Sequence, residues 1–214
     1  MDSTKTEPDI PSQPTSDHQI HGSLVEVQGV GVLILGPSGV GKSECVIELV
    51  RRGQRMVADD IVRLRAEGAP VAGAEAVGAA GSDASLIGWS PEHIRHYIEV
   101  RGLGLMSVSD LFGPEATLDE CVVGFVVRLE DWDKGREFDR IGLERRRETF
   151  VGVEVPTVVL PVHAASSLAT LVELAVRDWH LRERGVNAAR RLDERLRARG
   201  GILGSRDLSD GEGI

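Results

Sequence analysis

The chain has 214 residues, a formal net charge of −9 and 41% apolar residues, enough for one full domain and too few for two large ones. The acidic balance argues against nucleic acid or an anionic membrane as the main partner, and no apolar run approaches the length of a membrane-spanning helix. Cys45 and Cys121 are too few for a disulfide scaffold, lack metal-type spacing, and read as buried free thiols of a cytoplasmic protein.

Residues 1–19, rich in Ser, Thr, Pro, Asp and Glu, read as a disordered leader. Aromatic residues make up only 4% of the chain, so the folded part, 20–199, has to build its core from Val, Leu, Ile and Ala. Leu24–Val27 is expected as a strand, with Gln28-Gly29 as a hairpin turn into a second, buried strand at Val30–Leu35. Cys45, Val46, Leu49 and Val50 recur at helical spacing until Gly53. Arg55–Ala58 and Ile61–Arg65 read as strands on either side of Asp59-Asp60. Residues 66–85, mostly Ala, Gly and Val, fit either two short strands or a loose segment. One or two helical turns are expected over Pro91–Tyr97 and a short helix over Ser107–Phe112. Cys121–Leu129 is apolar nearly throughout and so reads as a central strand. A charged loop at Glu130–Arg140, a strand at Glu154–Leu160 and a helical stretch from Leu168 to Arg199, broken at Gly185, complete the domain. Arg145, Arg146 and Arg147 read as a solvated basic face, and 200–214 as a flexible tail.

Between the buried strand and the first helix stands Gly36-Pro37-Ser38-Gly39-Val40-Gly41-Lys42-Ser43, a G-x-x-x-x-G-K-[ST] phosphate-binding loop. Glycines let backbone N–H groups wrap a phosphate chain, and the helix adds its positive N-terminal end. Lys42 reaches the terminal phosphates and Ser43 can hold Mg²⁺, so a nucleoside triphosphate is the implied ligand. Three of the 25 basic residues are lysines, and one of them stands in this loop, where a compact ammonium suits the position better than a planar guanidinium.

Asp59 and Asp60 follow Lys42 by 17 and 18 residues, at the end of a strand where ligands of α/β sheets gather. One can coordinate Mg²⁺ while the other takes a proton from an acceptor hydroxyl. His21 opens the hairpin leading to the loop, Glu99 and Arg101 flank a Gly-Leu-Gly turn, and Arg140 closes Phe138-Asp139-Arg140. His93, His96, His163 and His180 have no metal-ligand spacing.

Several blocks occur together: His21-Gly22-Ser23-Leu24-Val25-Glu26-Val27, the phosphate loop with Glu44, Val57-Ala58-Asp59-Asp60, and Ile98-Glu99-Val100-Arg101-Gly102-Leu103-Gly104. Phe138–Leu143 and Gly185–Ala189 follow in order. In these blocks, over about residues 20–199, the chain resembles the catalytic domain of the HPr kinase/phosphorylase family. The resemblance implies an α/β fold, a phosphate-loop sheet with flanking helices like that of phosphoenolpyruvate carboxykinase. It implies ATP- and Mg²⁺-dependent phosphorylation of a serine on HPr, the small phosphocarrier of the sugar phosphotransferase system, and commonly a hexamer. Lys42 would neutralise the transferred phosphoryl group, Asp60 would exchange the serine proton, His21 and Arg140 would complete the catalytic set, and Ser43 and Glu99 would hold Mg²⁺. Asp59 is left as a metal ligand, a supporting group or a helper to Asp60.

Three departures stand out. Only the expected leader precedes His21, where the family commonly carries a further N-terminal domain. Pro161-Val162-His163-Ala164-Ala165-Ser166-Ser167 lacks two arginines that the family associates with dephosphorylation, so reverse phosphorolysis is expected to be weak. Ile87-Gly88-Trp89-Ser90-Pro91 carries Trp89 where the family more often has arginine, which fits either an altered acceptor contact or packing under a loop. A kinase with another acceptor and a non-catalytic ATP sensor are the alternative readings.

Overall fold

The computed structural model describes residues 18–68, 84–131, 146–162 and 167–198. In chain order it contains β1 (His18–His21), β2 (Ser23–Val27), β3 (Val30–Leu35), α1 (Lys42–Arg51), β4 (Arg55–Ala58) and β5 (Ile61–Glu67). Then come β6 (Ser85–Trp89), β7 (Tyr97–Val100), β8 (Gly104–Ser107), α2 (Val108–Phe112) and β9 (Glu120–Asp131). β10 (Arg146–Phe150), β11 (Val153–Val162), α3 (Leu168–Glu183) and α4 (Ala188–Ala198) follow. The result is a mixed α/β fold around a curled sheet.

The sheet runs in the order β1-β5-β6-β9-β3-β2-β4, and β11 joins β9 with β10 beyond it. β9 is the organising strand. Its first residues pair antiparallel with β6, while further along it lies parallel to both β3 and β11. That position explains why β3 and β9 read as nearly unbroken apolar runs: both faces are covered. On β3, Val30, Val32 and Ile34 pack with α1, α3 and Phe125 of β9, while Leu33 and Leu35 enter a second cluster with Val62, Leu64, Leu86 and Phe150. Among the described residues, Phe125 is the only aromatic one of the largest fully buried side chains.

The Gln28-Gly29 turn has φ of 52° and 83°, the double left-handed geometry that a two-residue hairpin needs. α1 buries Cys45, Val46, Leu49 and Val50, the residues whose spacing marks its apolar face. α3 and α4 are separate helices interrupted around Gly185, which has φ 78°.

Several expectations need correction. The turn after Pro91 is a single 3-10 turn at Glu92–Ile94, and Tyr97 already begins β7. β9 continues to Asp131, so the charged loop does not start at Glu130. Arg146 and Arg147 are exposed, as a solvated face requires, but they lie on a strand, where Arg147 forms an ion pair with Glu154 on β11 at 3.3 Å. Cys121 is half-buried, whereas Cys45 is buried; both are free thiols. Trp89 is half-buried on β6, with the Arg65 guanidinium 4.8 Å from its ring centroid, so packing accounts for it. Among the described residues no helix is long and apolar enough to cross a membrane.

Candidate active site

β3 ends at Leu35, the glycine-rich loop follows, and α1 begins at Lys42. Gly39 and Gly41, at φ 80° and 98°, hold the left-handed turns that side chains disfavour. The Lys42 ammonium donates hydrogen bonds to the Gly36 and Pro37 carbonyls, each at 2.9 Å. It therefore lies back across the loop that it closes.

The Asp59-Asp60 turn between β4 and β5 faces this loop. Asp59 is buried, and its carboxylate accepts from Ser43 Oγ at 2.8 Å and from Ser23 Oγ at 2.5 Å. Burial raises the Asp59 pKa above the ordinary carboxylate value, and the hydrogen bonds from Ser23, Ser43 and a backbone N–H partly oppose that rise. Asp60 points elsewhere. Its φ of 67° turns it out of the strand, a conformation that aspartate tolerates better than most residues. There its Oδ1 lies 3.1 Å from His21 Nδ1, and its carbonyl accepts from the Gly22 N–H at 3.1 Å. Two adjacent aspartates thus serve opposite directions, one inward to the loop hydroxyl and one outward to an exposed imidazole.

Gly22 fits because it has no side chain: a Cβ there would lie 2.8 Å from the Ile34 carbonyl and 2.7 Å from Leu35 Cδ2. The β7–β8 hairpin supplies a third wall. Ile98 anchors it in the core beside α1, and the Arg101 guanidinium lies 3.2 Å from the position a Cβ on Gly39 would take. Glu99 is exposed on β7 two residues before Arg101. Arg140 lies outside the described residues.

The oxygen donors fit Mg²⁺ in kind. Ser43 donates its O–H hydrogen bond to Asp59, which leaves the oxygen's lone pairs available to a cation, with the Asp59 carboxylate beside it. Among the described residues no group of three or more His, Cys, Asp or Glu is arranged to hold a metal. Such a sparse set suits a cation that keeps waters and shares substrate phosphates.

The spacing in the sequence marks Lys42, Ser43, Asp60 and His21; the structure joins Ser43 to the aspartate turn through Asp59, and pairs Asp60 with His21 on the outer side of that turn. Ser23 and the approach of Arg101 to Gly39 carry no local signal, since both depend on contacts between distant segments.

The glycine-rich strand–loop–helix unit, set in a mixed α/β sheet with a paired-aspartate turn beside it, defines the class of site. The family model of the HPr serine kinase C-terminal domain matches residues 12–196, and the chain belongs to that family. It is 42% identical to the HPr kinase/phosphorylase of Caldanaerobacter subterraneus and 43% identical to that of Geobacillus thermodenitrificans, in both cases over 83% of this chain and 53% of the relative. The chain thus spans about half the length of the curated relatives it matches. The structure of the Hpr(Ser) kinase/phosphatase from Coxiella burnetii superimposes with a TM-score of 0.64 at 27% identity, covering 78% of this chain and 99% of that one.

Proposed function

We propose that this chain is an ATP- and Mg²⁺-dependent protein serine kinase acting on HPr or an HPr-like phosphocarrier in the cytoplasm. Its sheet is then a nucleotide-binding fold of the phosphoenolpyruvate carboxykinase type. The observation that carries the reading is the division of labour at Asp59-Asp60, one carboxylate on the phosphate-loop serine and its exposed neighbour turned outward to His21. A protein that only sensed ATP has no use for the second. Family membership and the names of the relatives supply the acceptor.

In this reading the acceptor serine oxygen forms a bond to the γ-phosphorus, the bond from that phosphorus to the β–γ bridging oxygen breaks, and ADP leaves. Asp60 takes the serine proton, held in place by His21 and by its own backbone bond to Gly22. Lys42 leaves its loop carbonyls to neutralise the transferred group, and Arg101 with Arg140 adds positive charge around it. Ser43 and Glu99 would hold Mg²⁺, which when bound offsets charge on the β- and γ-phosphates.

The test is transfer of labelled γ-phosphate from ATP to purified HPr, beside Lys42→Ala and Asp60→Ala variants. Serine labelling by the wild type alone supports the reading. Tight Mg–ATP binding without labelling would overturn it in favour of another acceptor or a sensor. The reverse reaction, from phosphoserine-HPr and inorganic phosphate, is expected to be slow because the 161–167 segment lacks arginine. Self-association, as the family resemblance implies, is to be checked by sedimentation; exposed Leu174, Leu181 and Leu192 on α3 and α4 offer apolar surface for it.

A further inference from the structure

Ser23 opens β2, on the face that also carries the buried Val25 and Val27, and it is 0% exposed. A hydroxyl in such a place needs a partner, and an alanine would satisfy packing without one. Its partner is Asp59 Oδ1 at 2.5 Å, while Oδ2 of the same carboxylate accepts from Ser43 at 2.8 Å. The three side chains come from β2, the β4–β5 turn and the start of α1. The chain of bonds therefore runs from the core to the phosphate loop, and each carboxylate oxygen accepts one serine proton.

We propose that Ser23 is a positioning residue for the Mg²⁺–nucleotide site, acting through Asp59 on the orientation of the Ser43 hydroxyl. With Ser23 in place, the Asp59 carboxylate cannot rotate without leaving a buried hydroxyl unpaired. Oδ2 then stays fixed as the acceptor for Ser43, and the lone pairs of Ser43 stay turned away from Asp59, toward the loop. Without Ser23, the buried carboxylate loses one of its two side-chain donors, and only Ser43 and a backbone N–H are left to set its orientation. Outer contacts of this kind set metal affinity by roughly 10- to 100-fold. The proposal rests on the ATP- and Mg²⁺-dependent reading above, and its test needs no acceptor protein.

The experiment titrates a fluorescent ATP analogue into the wild type, Ser23→Ala, Ser23→Thr, Ser43→Ala and the Ser23→Ala/Ser43→Ala double variant, each with and without Mg²⁺. Melting temperature is recorded in parallel. Ser23→Ala is expected to raise the Mg²⁺ concentration for half-maximal enhancement of binding by roughly 10-fold or more, with metal-free affinity unchanged. Ser23→Thr, which keeps the hydroxyl, is expected to recover most of that loss. The double variant should be no worse in Mg²⁺ dependence than Ser43→Ala, because the two serines act in series. Equal loss of binding with and without Mg²⁺, or a lowered melting temperature with the Mg²⁺ midpoint unmoved, makes Ser23 a packing residue and overturns the proposal. Should Ser23→Ala fail to fold, Ser23→Thr against Ser43→Ala decides: a Thr variant with an intact melting temperature and no Mg²⁺ response also overturns it. A wild type whose nucleotide binding ignores Mg²⁺ overturns the Mg²⁺-dependent reading on which the proposal rests, and one that binds no nucleotide overturns the nucleotide reading itself.

Discussion

His21 Nδ1 and Asp60 Oδ1 lie 3.1 Å apart, with side chains 77% and 67% exposed. Such an exposed pair contributes about 0–1 kcal/mol to folding, so losing it should cost little stability, while the proposed reaction depends on it. Asp60→Asn is expected to lower phosphate transfer by roughly 10²–10⁴-fold, leaving nucleotide binding and melting temperature essentially unchanged. A variant that lost binding along with transfer would show that Asp60 serves the nucleotide side.

Lys42 stands where a compact ammonium can hydrogen-bond two loop carbonyls at 2.9 Å each. A planar guanidinium has a longer reach and a fixed fork. Lys42→Arg is therefore expected to weaken ATP binding roughly 10- to 100-fold, the loss of one charge-assisted contact. Isothermal titration with Mg–ATP measures this; near-native affinity would show that charge alone suffices.

At Gly22 a methyl group has nowhere to go, because the Ile34 carbonyl and the Leu35 side chain already fill the space. Gly22→Ala is expected to cost about 1–3 kcal/mol, seen as a drop of several degrees in melting temperature. Transfer activity should fall further than folding does, since the Gly22 N–H also holds the Asp60 carbonyl.

The two free thiols, one buried and one half-buried, make stability fall in alkali. Burial pushes Cys45 up to about 12 from 9.0, with a smaller lowering by Arg52 and a smaller raising by Glu48. Burial likewise pushes Cys121 up to about 12. Between pH 9 and 12 the unfolded chain has released protons that the folded chain still holds, so the stabilisation is complete below pH 9 and declines as pH rises through that window. Each thiol contributes a slope of about 1.4 kcal/mol per pH unit. Urea unfolding across pH 8–11 (read by fluorescence) should show this decline, and Cys45→Ala should flatten it by about half.

Much of the fold could be read from local pattern. β3, α1 and the Gln28-Gly29 turn follow from apolar spacing and turn chemistry, and β9 from its continuous apolar run. β10 could not be read in this way. Its Arg146–Phe150 sequence has little apolar alternation, and its turn places Val151 at φ 50°, a conformation that β-branched residues normally avoid. β6 was hidden by the Ala- and Gly-rich stretch before it. At the site, Lys42 and Ser43 belong to a contiguous motif. Ser23 acquires its meaning only when β2 pairs with β4 and brings Asp59 beneath it, a contact between segments far apart in the chain.

The two-residue hairpin has a consequence for the order in which the molecule is made. β2 and β3 can pair on the microsecond scale of hairpin formation as soon as both have left the ribosome. The other edge of β3 waits for β9, which begins at Glu120 and closes a far longer loop. Until then the strand leading into the phosphate loop carries an unpaired edge, the kind that recruits other chains. A nascent chain arrested before Glu120 is thus expected to associate where the finished domain does not, and pelleting of stalled chains would reveal it.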